Sequence, residues 1–380
     1  MAGTECRPGS APKIRSVTED LGKPQENYSR TNPAHDFAQP AQGDAWFAEQ
    51  DLALVDALQS APRAPWSRIG HAIGVDATTA ARRWERLRSE GLAWVTAYDS
   101  ARTTTVAFVE VRCRPRALAE VSAAVSALPW VFSVDETADD HDLLLSVAAA
   151  DVPGLGRAVH EVIGGLPGVR SARMRIGITL YGEGGDWRIR AMEPARRAEL
   201  GTSGLPGRAS YATRQSSRTS PEDQALLAAL GADGRLGFTA LAAATGLSEH
   251  TARRRVQRML RDGDITLRCD LAYPLAGLPT LVVYRMSVPH GALGPTGRAL
   301  ARLGPVRLCA SVSGPHNLLV QVLLHGLAGI DLFEAQLADA FGDLEIKDRT
   351  VALHTLKRMG WLLDAQGRAT GRVPLAPPEH

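Results

Sequence analysis

Apolar residues recur at helical spacing over residues 46–58, where Phe47, Leu52, Leu54, Val55 and Leu58 share one face, and residues 61–65 break the run. A second helix is predicted over residues 66–73, with Ile69 and Ile73 four apart. Gly74 allows the turn that ends it, and Asp76 can cap a third helix. That helix buries Ala80, Trp84 and Leu87 and turns Thr78, Arg82, Arg86 and Ser89 elsewhere. Three short helices with a glycine turn before the last predict a helix-turn-helix. The period then changes. Strands are predicted over residues 105–111, 130–135, 143–149 and 169–181, with helices over 116–128 and 152–163 and a polar turn over 137–142. Strand, helix, strand, strand, helix, strand is the ferredoxin-like order, two helices on one face of a four-stranded antiparallel sheet.

The whole pattern occurs twice. Gly74, Thr79 and Gly91 each recur 172 residues later as Gly246, Thr251 and Gly263, with no gap across the motif. Strands follow over residues 281–288, 306–312, 318–324 and 346–356, and helices over 296–303 and 328–341. The predicted class is α+β, with two winged-helix or helix-turn-helix domains and two ferredoxin-like domains in tandem. The expected divisions are a disordered extension 1–44, helix-turn-helix 45–98, ferredoxin-like domain 99–183, linker 184–220, helix-turn-helix 221–270, ferredoxin-like domain 271–363 and a loose tail 364–380.

A chain of 380 residues exceeds one compact core. No apolar run approaches the roughly 20 residues a membrane helix needs, so a cytoplasmic location and no membrane partner are expected. Cys6, Cys113, Cys269 and Cys309 form no Cys-x-x-Cys pair. That predicts reduced thiols, no disulfide framework, no metal site and no cofactor. With a formal net charge of +2, any nucleic-acid case must rest on local clusters.

The densest cluster lies over residues 248–263. Ala252, Val256, Met259 and Leu260 form the apolar stripe of that helix, and the rest of its surface is basic. Arginine can bridge guanine N7 and O6 in the major groove, while flanking residues meet phosphates. The candidate double-stranded DNA contacts are therefore Ser248, Glu249, His250, Thr251, Arg253, Arg254, Gln257 and Arg258, and in the first copy Thr78, Thr79, Arg82, Arg83 and Arg86. The copies are unequal, since Arg253, Val256 and Gln257 correspond to Ala81, Trp84 and Glu85. Weaker binding by the first helix, or a different half-site, is expected. Arg83 and Arg255 are candidates for pairing with an acidic neighbour instead.

The motif Gly-Leu-Ser-x-x-Thr-x-x-Arg-Arg-Val-x-Arg-Met, followed by a strand-helix-strand-strand-helix-strand module, resembles the Lrp/AsnC, or feast/famine, transcriptional regulators. The resemblance covers residues 46–182 and 221–361 and implies a bacterial transcription factor, not an enzyme. Its second module would be a ligand-sensing and pairing domain, often called RAM, for an effector such as an amino acid. Duplication would let one chain form internally the pair that relatives make from two subunits, a pseudo-dimer open to further homo-oligomer assembly. In the family the effector lies near a Gly-x-x-Asp turn. The turn here reads Asp139-Asp140-His141-Asp142 and Gly314-Pro315-His316-Asn317, which makes Asp139, His141, Asp142, Gly314, His316 and Asn317 the effector candidates. Both turns depart from the pattern, so no particular family ligand carries over, and Asp and Asn in a turn also bond their own backbone. Two alternatives stand beside this reading. One is an enzyme resembling the siroheme decarboxylases, drawing on His141, His160, His316, His325 and His354; the other is a regulator acting through protein pairing without a ligand.

Overall fold

The computed structural model describes residues 46–100, 104–201 and 220–378. The extension expected over residues 1–44 and the linker segment 202–219 lie outside the described residues. In the first half, helices α1 (Glu49–Ser60), α2 (Trp66–Ile73) and α3 (Ala77–Ser89) lead into strand β1 (Ala93–Asp99). Then come β2 (Thr105–Cys113), α4 (Leu118–Ala127), β3 (Val131–Ala138), β4 (Leu143–Ala149), α5 (Val152–Arg157, continued by a wider π-helical turn Ala158–Ile163) and β5 (Val169–Gly182). A short helix α6 (Pro194–Glu199) follows. The second half repeats the order with α7 (Pro221–Ala232), α8 (Phe238–Thr245), α9 (Glu249–Asp262), β6 (Ile265–Leu271), β7 (Thr280–Ser287), α10 (His290–Leu300), β8 (Val306–Val312), β9 (Leu318–Leu324), α11 (Gly329–Ala340) and β10 (Glu345–Arg358). Among the described residues, no helix is long and apolar enough to cross a membrane.

Each α+β module contributes a four-stranded antiparallel sheet, ordered β3-β4-β2-β5 and β8-β9-β7-β10. The sheets join at both edges, β5 to β8 and β10 to β3, so eight strands close into a ring. Closure pairs each of these eight strands on both sides. The two seams are alike, each carrying two register shifts.

Alternation along the strands sorts residues between two layers. In the first module Val109, Val111, Leu143, Leu145 and Val147 meet helix residues such as Val121, Val125 and Val159. Their neighbours Phe108 and Leu144 face inward and pack with Val283, Leu308, Ala310 and Leu319 of the second module. The two modules therefore share a core that neither could complete alone.

Several elements depart from the sequence expectation. Strands β1 and β6 have no counterpart in it, yet they pair with each other in a two-stranded antiparallel ribbon. Residues 184–201 pack instead of linking loosely: Trp187, Met192 and Leu200 are buried against the first helix-turn-helix, and Arg197 meets the fully buried Asp56 at 2.6 Å. The tail forms a hairpin, β11 (Trp361–Leu363) and β12 (Ala369–Arg372), that extends the sheet beyond β10. Helix α10 starts at His290, where the glycines at 291, 294 and 297 and Pro295 dilute the apolar period that marks a helix.

Strand β10 also buries Lys357 completely, its Nζ donating to the Leu128 carbonyl at 2.8 Å. Burial lowers its pKa from 10.5 to about 8. The unfolded chain therefore holds more protons than the folded one between those values, and stability should rise with pH from about 8 to 10.5. Chemical denaturation across that range is expected to show this slope, and Lys357→Met to flatten it while raising stability at pH 7.

Candidate nucleic-acid interface

Helix α9 is set by its two ends. Ser248 accepts from the Thr251 backbone N–H, and Gly263 closes the helix at φ 72°, the left-handed conformation that a side chain resists. Ala252, Val256 and Met259 are buried against Leu226, Leu230 and Leu241 of α7 and α8. In the first copy Asp76 caps α3, and Ala80, Trp84 and Leu87 take the corresponding buried places.

The opposite face is less free than its arginine count suggests. Asp223 is nearly buried and binds two of those arginines, Arg255 at 3.0 Å and Arg258 at 2.5 Å. Burial alone would raise the Asp223 pKa; the hydrogen bonds from Arg258 and Arg255 outweigh it and hold the carboxyl below its ordinary value. The first copy repeats the device 172 residues earlier, with buried Asp51 binding Arg83 at 3.1 Å and Arg86 at 2.6 Å. Arg253 is also engaged, by Glu249 at 3.1 Å and over the Phe238 ring at 4.5 Å. Glu249 in turn accepts from Thr239 at 2.8 Å.

These contacts sort the candidates. Arg83, expected as either a DNA contact or a structural arginine, is engaged by Asp51 and Gln50, and Arg86 and Arg258 join it in ion pairs. Thr79 and Thr251 serve the caps, through hydroxyl contacts with Asp76 at 2.6 Å and Ser248 at 2.9 Å. Arg254, His250 and Gln257 stand exposed on α9, and Thr78 and Arg82 on α3. Arg82 and Arg254 are equivalent positions and the freest cations of the two helices. Near Arg82, Glu85 occupies the place of Gln257 and is bound by Arg88 at 2.8 Å.

A reciprocal clasp holds the two helix-turn-helix units together. Arg63 donates to the carbonyls of Gly234 and Leu236 at 2.7 and 2.9 Å, and Arg235 donates to those of Pro62 and Ala64. Each of the two guanidiniums also lies over an aromatic ring of the other unit, Arg63 over Phe238 and Arg235 over Trp66. All these positions correspond by the same 172-residue step. The β1–β6 ribbon obeys the same symmetry: Thr96 faces its own equivalent, Arg268, so a pseudo-twofold axis passes between them. Helices α3 and α9 are thus fixed about one axis within a single chain. Sequence reading misses this clasp, although the recurrence of an arginine at 63 and 235 is available as a signal.

The turns proposed for an effector are tied into the fold. Asp142 accepts from the Cys113 N–H at 2.6 Å, and Asn317 accepts from Val288 N–H at 3.1 Å, the same bond in both modules. Asparagine keeps the acceptor and adds a donor to the Val288 carbonyl at 2.7 Å. Asp139 accepts from Thr350, buried His141 contacts Arg285 at 3.3 Å, Gly314 holds φ 111°, and His316 stands 3.5 Å from the Ser287 hydroxyl. For Asp139, His141, Asp142 and Asn317 the visible partners are structural ones.

A pair of helix-turn-helix units on one axis, attached to two interlocked α+β modules, defines a duplicated helix-turn-helix protein. Sequence models of known families agree: the AsnC-type helix-turn-helix domain matches residues 49–88 and 223–260, and the Lrp/AsnC ligand binding domain matches residues 106–181. An uncharacterized HTH-type transcriptional regulator of Pyrococcus furiosus is 30% identical over 142 residues, covering 37% of this chain and 94% of the relative. The HTH-type transcriptional regulator LysM of Saccharolobus solfataricus is 27% identical over 134 residues, covering 34% and 94%. The chain belongs to the Lrp/AsnC family of helix-turn-helix transcriptional regulators. The solved structure of the siroheme decarboxylase NirDL shares the fold, with a TM-score of 0.53 over 82% of this chain and 93% of that one at 14% identity. That likeness is one of fold alone.

Proposed function

We propose that the chain is a single-chain pseudo-dimeric regulator that binds double-stranded DNA through α9, with α3 as a weaker or differently specific partner. Both α+β modules are RAM-type domains on this reading, and their pairing replaces that of two subunits. The observation that carries it is the division of arginines: Asp223 and Asp51 each hold two, while Arg254 and Arg82 stand free at equivalent exposed positions. Groups without an internal partner on the first half of a recognition helix suit base edges and phosphates. The pseudo-twofold axis implies a site of two half-sites, and the exchange of Gln257 for Glu85 implies that they differ in sequence. The scattered histidines give the decarboxylase reading no comparable support. His325 and His354 bond the carbonyls of Gly277 and Asp364, and none of the five lines the cavity of about 280 Å³ that lies between the two sheets.

Binding to a genomic site, once mapped, is tested by fluorescence anisotropy. Arg254→Ala is expected to weaken it about tenfold or more, and Arg82→Ala by less, in keeping with about 1–3 kcal/mol for a direct arginine contact. The wild-type affinity should fall steeply with added salt. An Arg254→Ala protein that binds within about twofold of wild type at physiological salt overturns the assignment of α9.

A further inference from the structure

The space between the two sheets is filled unevenly. Along β2 the inward positions run from Glu110 through Phe108 to Val106, and along β4 from Leu144 through Ser146 to Ala148. Phe108 and Leu144 sit in a packed apolar block. At the Val106 end, toward the β1–β6 ribbon, lies a cavity of about 280 Å³. That is near the lower end of the ~300–1,000 Å³ typical of small-molecule sites.

Its walls are mostly apolar, with Val106, Trp130, Phe132, Leu180 and Leu308 among them. Two guanidiniums line it, those of Arg268 and Arg307. Arg307, 7% exposed, lies in the lining and donates from Nη1 to the neutral Gln321 amide oxygen at 3.0 Å. Its Nε has no hydrogen-bond partner among the described residues. The neighbouring Arg268 differs, since Asp270 holds it at 2.6 Å. Three carboxyls stand in the field of Arg307: burial pushes Glu183 up to about 7 and raises Asp135 against a hydrogen bond from Thr355, while Asp270, against burial, is held low chiefly by Arg268, the arginine it binds directly. A buried guanidinium held by a neutral amide is costly unless an anion meets it.

We propose that this cavity binds a small monocarboxylic acid with an aryl or branched alkyl body, its carboxylate on Arg307 and its body against the apolar walls. The pseudo-twofold symmetry makes the site single. Arg307 and Gln321 correspond to Phe132 and Ser146 across the axis, so both kinds of residue face one cavity and are not repeated in a second. The floor of the site includes Arg268 of the ribbon, through which an occupant would reach the helix-turn-helix units. A role as an effector site rests on the DNA-binding reading above; the binding itself does not.

Isothermal titration of the full chain, without DNA, tests it with phenylacetate and 4-methylpentanoate as probes. Phenylacetamide and phenylalanine serve as the neutral and zwitterionic comparisons. The acids are expected to bind, the amide and the amino acid at least tenfold more weakly. Arg307→Gln should weaken phenylacetate at least tenfold. Ala148→Phe, which fills the cavity and leaves Arg307 in place, should abolish binding, with an unchanged circular dichroism spectrum as the control for folding. Absence of heat with both acids, equal affinity for acid and amide, or undiminished binding by the Ala148→Phe protein would each overturn the proposal. Since no DNA is present, such a failure leaves the assignment of α9 standing.

Discussion

Asp223→Ala is expected to destabilise the second helix-turn-helix by about 3 kcal/mol and to abolish DNA binding, although Asp223 points into the unit and away from any DNA lying on α9. The carboxylate is nearly buried and bridges Arg255 and Arg258, tying α9 to α7. Removing it leaves Arg258 without a counter-charge and Arg255 with only the more distant Glu222, 3.7 Å away, and the partial exposure of both guanidiniums keeps the cost toward the lower end for a broken buried pair. Asp223→Asn should recover part of the loss by retaining hydrogen-bond acceptance. The pH dependence has a definite sign. Because the folded pKa of Asp223 lies below 3.8, its contribution is complete above that value and is lost as pH falls through the folded value. Urea denaturation and anisotropy on the same samples check both effects. Asp51→Ala is the control, expected to unsettle the first unit with a smaller effect on DNA affinity.

The contrast between Arg258 and Arg254 shows how far sequence reaches. The glycine turns, the caps and the apolar stripe of α9 are legible because they are local and periodic. The strands β8 and β9 are legible to the residue because their apolar runs end at turn residues. Arg258 reads as a DNA contact because its partner Asp223 lies 35 residues away on another helix, where no local period connects them. The signal exists in the duplication: an aspartate at 51 and 223 stands at the same step as the arginines it binds. The β1–β6 ribbon escapes for a similar reason, since each strand pairs only with its counterpart in the other copy. Segment 184–201 reads as linker because glycine and arginine recur in it without a sustained period, while three well-spaced apolar residues, Trp187, Met192 and Leu200, anchor it. The cavity is not legible at all. It is a shortfall of volume between two sheets, and only the seams determine which side chains face it.

Arg285→Met is expected to cost about 3 kcal/mol of stability, because the variant leaves buried Glu110 with Arg175 alone and takes the cation from the partly exposed Asp139 and Asp348, whose exposure keeps the cost at the lower end for a broken buried pair. Arg285 is 4% exposed and lies between the modules, its Nε donating to Glu110 at 2.8 Å and its Nη1 to Asp348 at 2.5 Å and Thr350 at 2.9 Å. Arg175 adds a second bond to Glu110 at 3.0 Å. Glu110 and Arg285 are equivalent positions, 175 residues apart, as are His141 and His316. In a pair of identical subunits that position would face its own copy, and two glutamates or two arginines would repel. Duplication has allowed one copy to carry the acid and the other the base, which favours pairing within the chain over pairing between like modules. Burial tends to raise the Glu110 pKa, but Arg285 and Arg175 outweigh it and hold it low, while burial and Arg285 lower that of His141. The His141 contribution has its own sign: stability is lost as pH falls below 6.5 toward the folded value, when the unfolded chain takes up the proton first. The double variant Glu110→Leu, Arg285→Met should cost clearly less than the two single losses added together, since it removes both charges. Urea denaturation of the three variants decides the matter; strict additivity would mean that the pair at the axis does not hold the modules together.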